Sequence, residues 1–379
     1  MKLLLLSVAL LCFINVLAQQ PAPLEIIERA DELAKNYQFE QALQVLNGSE
    51  DSLSTMVLQR KGMCYARLGN YSDAIKSYES IRITDSLNRE ALYNLGQLYS
   101  VKDEYEKSAE CFMKLIQLDS TNSFYHKQYA AVAERRSDPI TAIAYYMQTV
   151  TLNPRDIEAY SHLCRILLEA EQYPYVDSIL TEVLKTGENA QLRLLLARAK
   201  LGQDQYNDVI VNVETILTTK DTTATYARLL GISYFQLDRY ERVIPCMQFL
   251  VGKGVKADWI YYYLGVSYQE QGNIQDAIFY LNLAIQESIS DHIGAYYTQL
   301  ASAHEQAKDF KNAIRNYKLA YETSKTDILL YHLARNYDVY YKDKAQAQRY
   351  YKKYLESEDT VQLARKYSEH RLGVLSDSR

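Results

Sequence analysis

Chain breakers are scarce in this protein. Its 379 residues include only 6 prolines and 13 glycines, too few for the many tight turns of a β-sandwich or barrel. A largely helical chain follows. Basic charge is in short supply too: Lys and Arg total 42 against 47 Asp and Glu, giving a net charge of −5 and an isoelectric point near 5.8. That balance excludes nucleic-acid binding through general phosphate attraction. Cys64, Cys111, Cys164 and Cys246 lie far apart without a C-x-x-C pair, so neither a zinc site nor a thioredoxin-like motif is indicated, and buried free thiols are expected.

Catalytic motifs are missing as well. There is no G-x-S-x-G, no phosphate-binding P-loop and no G-x-G-x-x-G. His304-Glu305-Gln306-Ala307-Lys308 begins like H-E-x-x-H but has Lys where the second ligand must stand. None of the six histidines forms an i, i+4 pair, and the dispersed acids read as a solvated helix surface. No enzyme activity, no cofactor and no metal are expected.

Only one long apolar run exists, Leu3 to Leu17, after Lys2 and before Ala18-Gln19-Gln20-Pro21. It falls short of the roughly 20 residues of a spanning helix and has the layout of a secretory signal peptide, residues 1–18. An uncleaved anchor is the competing reading. After cleavage no integral membrane segment remains, so the expectation is an exported protein, periplasmic or extracellular, with a Gram-negative envelope as its compartment.

What the chain has in abundance is tyrosine, 35 against 8 Phe and 1 Trp, and a repeat. The motif aromatic-x-x-small-aliphatic at Tyr71 to Ile75 recurs, with variation, along the chain. Its fourth residue gives the column Ala42, Ala74, Ser108, Ala142, Val176, Val209, Val243, Ala277, Ala313 and Ala347, spaced 32 to 36 residues apart and mostly 34. Twelve residues upstream stand Ala30, Gly62, Gly96, Ala130, Cys164, Ala197, Gly231, Gly265, Ala301 and Arg335, all but the last of them small. Four residues downstream the column is apolar or aromatic throughout. Ten units at such a period indicate a solenoid. A unit this short cannot bury a core alone, so each must borrow its neighbour's apolar face. Three tyrosine columns, among them Tyr65, Tyr99, Tyr234 and Tyr268, then serve packing, each hydroxyl reaching a turn or solvent.

Gly62, Tyr65, Ala74 and Tyr78 in the second unit make the chain resemble the tetratricopeptide repeat family. So do Leu95, Gly96, Tyr99 and Phe112 in the third, and Tyr261, Leu264, Gly265, Tyr268 and Ala277 in the eighth. The resemblance implies an all-α, right-handed α-solenoid of antiparallel helix pairs over residues 19–379. About ten repeats would span 23–357, with a capping helix at about 360–375 that carries Val361, Leu363, Ala364, Tyr367, Leu372 and Leu375. It further implies a concave groove lined by the first helix of each pair. The groove columns contain Tyr93, Phe124, Lys127, Arg165, Arg198, Arg228, Phe235, Trp259 and Tyr262. Arg165, Arg198 and Arg228 stand on successive repeats, and Arg grips a carboxylate through two parallel hydrogen bonds. With Phe235, Trp259 and Tyr262 beside them, they form a candidate site for an acidic or C-terminal peptide segment. In the competing reading these arginines pair with Glu158, Glu169 or other local acids. Ala131 stands where the family's carboxylate-clamp variant needs Asn, so chaperone-tail recognition is not implied. Two functions remain: a scaffold that binds a protein or peptide in its groove, or a structural subunit of an envelope assembly or secretion complex, docking through its convex face and ends.

Overall fold

The computed structural model describes residues 23–48, 54–217, 223–288, 292–359 and 361–377; the leader read in residues 1–18 lies outside them. Among the described residues there are 21 helices and no strand. They divide into two compact units, one ending at Ala170 and the other beginning at Glu171, a division that the even repeat spacing does not announce. The first unit holds α1 (Pro23–Lys35), α2 (Phe39–Asn47), α3 (Thr55–Arg67), α4 (Tyr71–Thr84), α5 (Arg89–Val101), α6 (Tyr105–Leu118), α7 (Ser123–Arg135), α8 (Pro139–Leu152) and α9 (Ile157–Glu169). The second holds α10 (Tyr173–Thr186), α11 (Ala190–Gly202), α12 (Tyr206–Leu217), α13 (Ala224–Gln236), α14 (Tyr240–Gly252) and α15 (Asp258–Glu270). It continues with α16 (Ile274–Glu287), α17 (Ile293–Gln306), α18 (Phe310–Ser324), α19 (Ile328–Tyr340), α20 (Ala345–Leu355) and α21 (Gln362–Asp377). The fold is an α-solenoid of antiparallel helix pairs, with one further helix at the end.

Both ends of each helix pair are set by local chemistry. The inter-repeat turns place Asn88, Asn122 and Asp156 as N-caps of α5, α7 and α9, their side chains accepting the amides of Ala91, Phe124 and Ala159 at 3.0, 3.1 and 3.0 Å. Such caps satisfy amides that the first turn leaves without intrahelical partners. The turn inside each of the first nine pairs relies on a left-handed residue. Tyr37, Gly69, Asp103, Ser137, Glu171, Asp204, Asp238, Gly272 and Lys308 all have φ between 55° and 79°. Where Asp103 takes that role, the next amide, of Glu104, returns to Tyr99 O at 2.9 Å, closing the helix in a Schellman turn.

The small column upstream of the anchors works as the repeat pattern requires. A Cβ built on Gly96 would lie 2.7 Å from the ring of Phe112, and one on Gly62 2.6 Å from the ring of Tyr78. Gly231 meets Met247 and Gly265 meets Leu281 in the same way. In all four the neighbour stands four residues past the anchor. At the anchor itself, Ser108 Oγ donates to Gly96 O at 2.6 Å, which fixes the separation of α5 and α6. Side chains from both helices then interlock in cores such as Leu92, Leu95, Phe112 and Leu115 in the first unit and Val213, Val243, Met247 and Leu264 in the second.

Two of the tyrosine columns have their own hydroxyl partners. Tyr99 and Tyr234 donate to Glu79 and Glu214 on the preceding helix at 2.7 and 2.9 Å, and Tyr268 accepts from Gln248 at 2.8 Å. Tyr105, Tyr206 and Tyr240 reach back to Asp103, Asp204 and Asp238, the left-handed turn residues, at 2.5, 2.6 and 2.7 Å. Burying a ring while giving its hydroxyl an acceptor avoids the cost of an unsatisfied polar group.

The final helix covers the last pair by a narrower stripe than its sequence suggests. Ala364 and Leu375 are buried and Leu372 packs partly against the core, but Val361, Leu363 and Tyr367 are exposed, Leu363 by 82%. Arg335 and Asp338, the residues that break the small and tyrosine columns, face partners instead. Asp338 is buried and takes Arg371 of α21 at 2.6 and 3.1 Å, so the irregular repeat is built to receive the terminal helix. Among the described residues no helix is long and apolar enough to cross a membrane.

Candidate functional site

The first helices of the pairs present the candidate residues. In the first unit, Arg165 on α9 is already engaged. Its guanidinium pairs with Glu134 of α7 and, at 3.1 Å, with Glu169 one turn on. Glu158 pairs instead with Lys127 at 2.8 Å, and Asp156 takes the same ammonium at 3.0 Å. Burial works against charge on Glu134, but hydrogen bonds from Arg165 and Tyr146 outweigh it and hold the carboxyl below the usual carboxylate range. Both groove cations here are neutralised by local acids. Beside them, Tyr93 and Phe124 stand 5.7 Å apart at a pocket of about 310 Å³ that Arg89, Glu90, Asn122 and Tyr125 complete.

The second unit differs. Arg198 on α11 and Arg228 on α13 are exposed, and neither has an ion pair among the described residues. Arg228 lies over the ring of Trp259 at 5.6 Å, a cation–π contact. From Trp259 a row of rings continues along α13, α15 and α17. Trp259 meets Tyr263 edge-on at 5.6 Å; Tyr263 lies flat on Phe235 at 3.8 Å with 1° between the planes; Phe235 and Tyr262 are 6.3 Å apart; Tyr262 stacks on Tyr296 at 4.9 Å. Burial raises the phenols of Tyr262 and Tyr263 above their ordinary value, so these rings stay neutral and act as apolar surface.

Four of the six expected site residues, Arg228, Phe235, Trp259 and Tyr262, thus belong to one contiguous row. Arg198 is on the preceding first helix, outside those ring contacts. Arg165 belongs to the other unit and is held by that unit's acids. Two members of the row, Tyr263 and Tyr296, fall outside the groove columns of the sequence pattern. Tyr263 is one position past the column, in the run Tyr261-Tyr262-Tyr263, and that run was the available signal. Tyr296 joins only because Tyr262 reaches it. Among the described residues no cluster of His, Cys, Asp and Glu is arranged to hold a metal ion.

Comparison with known proteins bears on the repeat. Residues 57–81, 90–122 and 294–327 match one tetratricopeptide repeat model, and residues 260–287 match a second. The chain therefore carries tetratricopeptide repeats in both units. No curated relative matches it in sequence. Solved structures of similar fold include a tetratricopeptide repeat protein from Parabacteroides merdae ATCC 43184, at 16% identity and TM-score 0.43 over 64% of this chain and 97% of that one. Another is the APC/C hetero-tetramer Cut9–Hcn1, at 14% and 0.36 over 94% and 91%. A third is pilF of Pseudomonas aeruginosa, at 16% and 0.42 over 54% and 94%. These are likenesses of fold alone.

Proposed function

We propose that the chain is a non-enzymatic interaction scaffold that takes a protein or peptide segment on the first-helix face of its second unit. One observation carries the reading. Arg228 is exposed, rests on Trp259 and has no carboxylate partner among the described residues, with Arg198 likewise without an ion pair there on the neighbouring repeat. An arginine supported by a ring keeps its donor fork free for a bidentate carboxylate, and the aromatic row beside it accepts an apolar side chain. The ligand in this reading is an acidic or C-terminal segment. Arg165 is not part of it, since a ligand carboxylate there would have to displace two acids.

The test is capture of a partner by crosslinking in the native host, with the wild-type chain beside Arg198→Ala/Arg228→Ala. Loss of the two anchors should weaken capture roughly 30-fold or more, as expected for hot-spot residues, while the helical melting curve stays in place. Undiminished capture would refute the site. In this proposal residues 1–18 act as a leader and the scaffold works outside the cytoplasm; fractionation of the host with an antibody to the chain checks that compartment.

A second reading, a structural subunit of an envelope assembly or secretion complex that docks through its outer surface and ends, is favoured by α21. Leu363 and Val374 stand i, i+11 on the helix and are exposed. Under that reading Leu363→Asp abolishes capture and the arginine pair is neutral.

A further inference from the structure

One network of four side chains occurs twice. In the first unit it joins Glu134 on α7, Tyr146 on α8, and His162 and Arg165 on α9; in the second, Glu305 on α17, Tyr317 on α18, and His332 and Arg335 on α19. The sequence H-L-x-R marks both, as His162-Leu163-Cys164-Arg165 and His332-Leu333-Ala334-Arg335. In each, the buried tyrosine donates to Oε2 of the glutamate at 3.0 Å. The imidazole lies flat on that tyrosine, with centroids 5.4 and 5.2 Å apart and planes 15° and 13° from parallel. The arginine pairs with Oε1 in both, at 3.5 Å in the second. The carboxylate therefore collects donors from its own repeat and from the next one. Each network is a tie across a repeat junction.

The two ties differ at one atom. His162 Nδ1 lies 3.1 Å from Glu134 Oε2, so a protonated His162 keeps its acceptor. In the second tie H-L-x-R stands one residue nearer the tyrosine, 15 rather than 16 residues on. Asn336 has taken the histidine's place, its amide donating to Glu305 Oε2 at 3.0 Å. His332 Nδ1 is left buried with no hydrogen-bond partner among the described residues. The groups facing this ring are Glu305 from α17, Tyr317 from α18, and Tyr331, Arg335 and Asn336 from its own α19. Burial pushes the imidazole below its ordinary value; Glu305 opposes that push and Arg335 adds to it. A neutral ring fits this slot and a cation does not, because Nδ1–H would find no acceptor and Arg335 stands beside it.

We infer that the junction between the ninth and tenth repeats is an acid-released joint, which opens ahead of the rest of the chain on mild acidification and frees α19 to α21. The sign follows from proton linkage. The opened state takes up protons from about pH 6.5 downward, the closed state only lower, so closure is fully favoured above that value and is lost as pH falls. Between pH 7.5 and 5.5 the opening equilibrium rises by up to about tenfold.

Hydrogen exchange at the two pH values, corrected for intrinsic rates, reads this directly. Amides of α19 to α21 should gain up to about tenfold in exchange, with α9, whose His162 keeps its acceptor, unchanged. His332→Gln should remove the gain; His304, which faces Asp309 at 3.3 Å, is present in both proteins, so the difference isolates His332. Equal gains in wild type and His332→Gln, or a gain spread evenly over both units, would overturn the inference. Should His332→Gln fail to fold, a carbon-13 histidine titration of the wild type decides: a His332 signal that titrates at or above about pH 6.5 overturns it, and one that titrates lower together with the α19 to α21 gain supports it.

Discussion

Replacing one glycine by alanine at two helical positions separates the stacking argument from simple helix propensity. Gly373 lies within α21 and a Cβ there would meet nothing within 4 Å; the same atom on Gly96 would stand 2.7 and 2.9 Å from two ring carbons of Phe112. Alanine gains about 1 kcal/mol over glycine in a helix interior, and Gly373→Ala should realise it. At Gly96 the same gain is opposed. Phe112 is 1% exposed, so its ring has no free volume into which to retreat, and overpacking of this kind costs about 1–3 kcal/mol. Gly96→Ala should therefore be neutral to about 2 kcal/mol destabilising, leaving the two variants about 1–3 kcal/mol apart. Urea unfolding followed by circular dichroism at 222 nm measures the difference, and adding Phe112→Leu to Gly96→Ala should recover part of it. If Gly96→Ala stabilised the chain as much as Gly373→Ala, the close approach of α5 and α6 would not be what holds the small column.

Further outcomes follow from other parts of the fold. Lys308→Gly and Glu171→Gly should each stabilise by about 0.5–1 kcal/mol, because a side chain in the left-handed region is strained there; a fall in the urea midpoint for either would contradict the turn geometry. Asp103→Gly should gain less, since it also removes the acceptor of Tyr105. Arg371→Met should cost about 3 kcal/mol, the low end for stranding a buried carboxylate, because Lys344 remains 3.5 Å from Asp338. Burial acts to raise the Asp338 carboxyl, but Arg371 and Lys344 win and hold it below the ordinary value. Its contribution is thus present above about pH 4 and lost as pH falls further, and Arg371→Met should flatten the acid limb of the melting profile. Burial pushes the thiols of Cys111 and Cys164 up to about 11 and about 12; neither should react with a disulfide reagent at pH 8 until the chain is unfolded.

The pairing of helices, the small column and the tyrosine columns were legible in the residue order because each rests on contacts between residues one repeat or less apart. Gly96 to Phe112 and Tyr99 to Glu79 are short-range facts, and a period of about 34 repeats such contacts along the chain. The row from Arg228 through Trp259, Phe235 and Tyr262 was largely readable for the same reason, since successive first helices present equivalent positions. Tyr263 and Tyr296 were not, because ring stacking depends on how side chains lean and not on which column they occupy.

Charge was decided by the fold. In the sequence Arg165 and Arg198 share one column and Arg228 stands four residues earlier in its own repeat, yet all three fall in groove columns. In space Glu134 and Glu169 neutralise the first while the other two have no ion pair among the described residues, because a long side chain chooses its partner from whatever a neighbouring helix brings within reach. The terminal helix makes the same point: residue order marked Arg335 and Asp338 as exceptions, and only packing showed Asp338 buried against Arg371. The order of residues settles what repeats along this chain, since backbone geometry converts a fixed spacing into a fixed face; which charges stay free is settled by distances between helices that no spacing encodes.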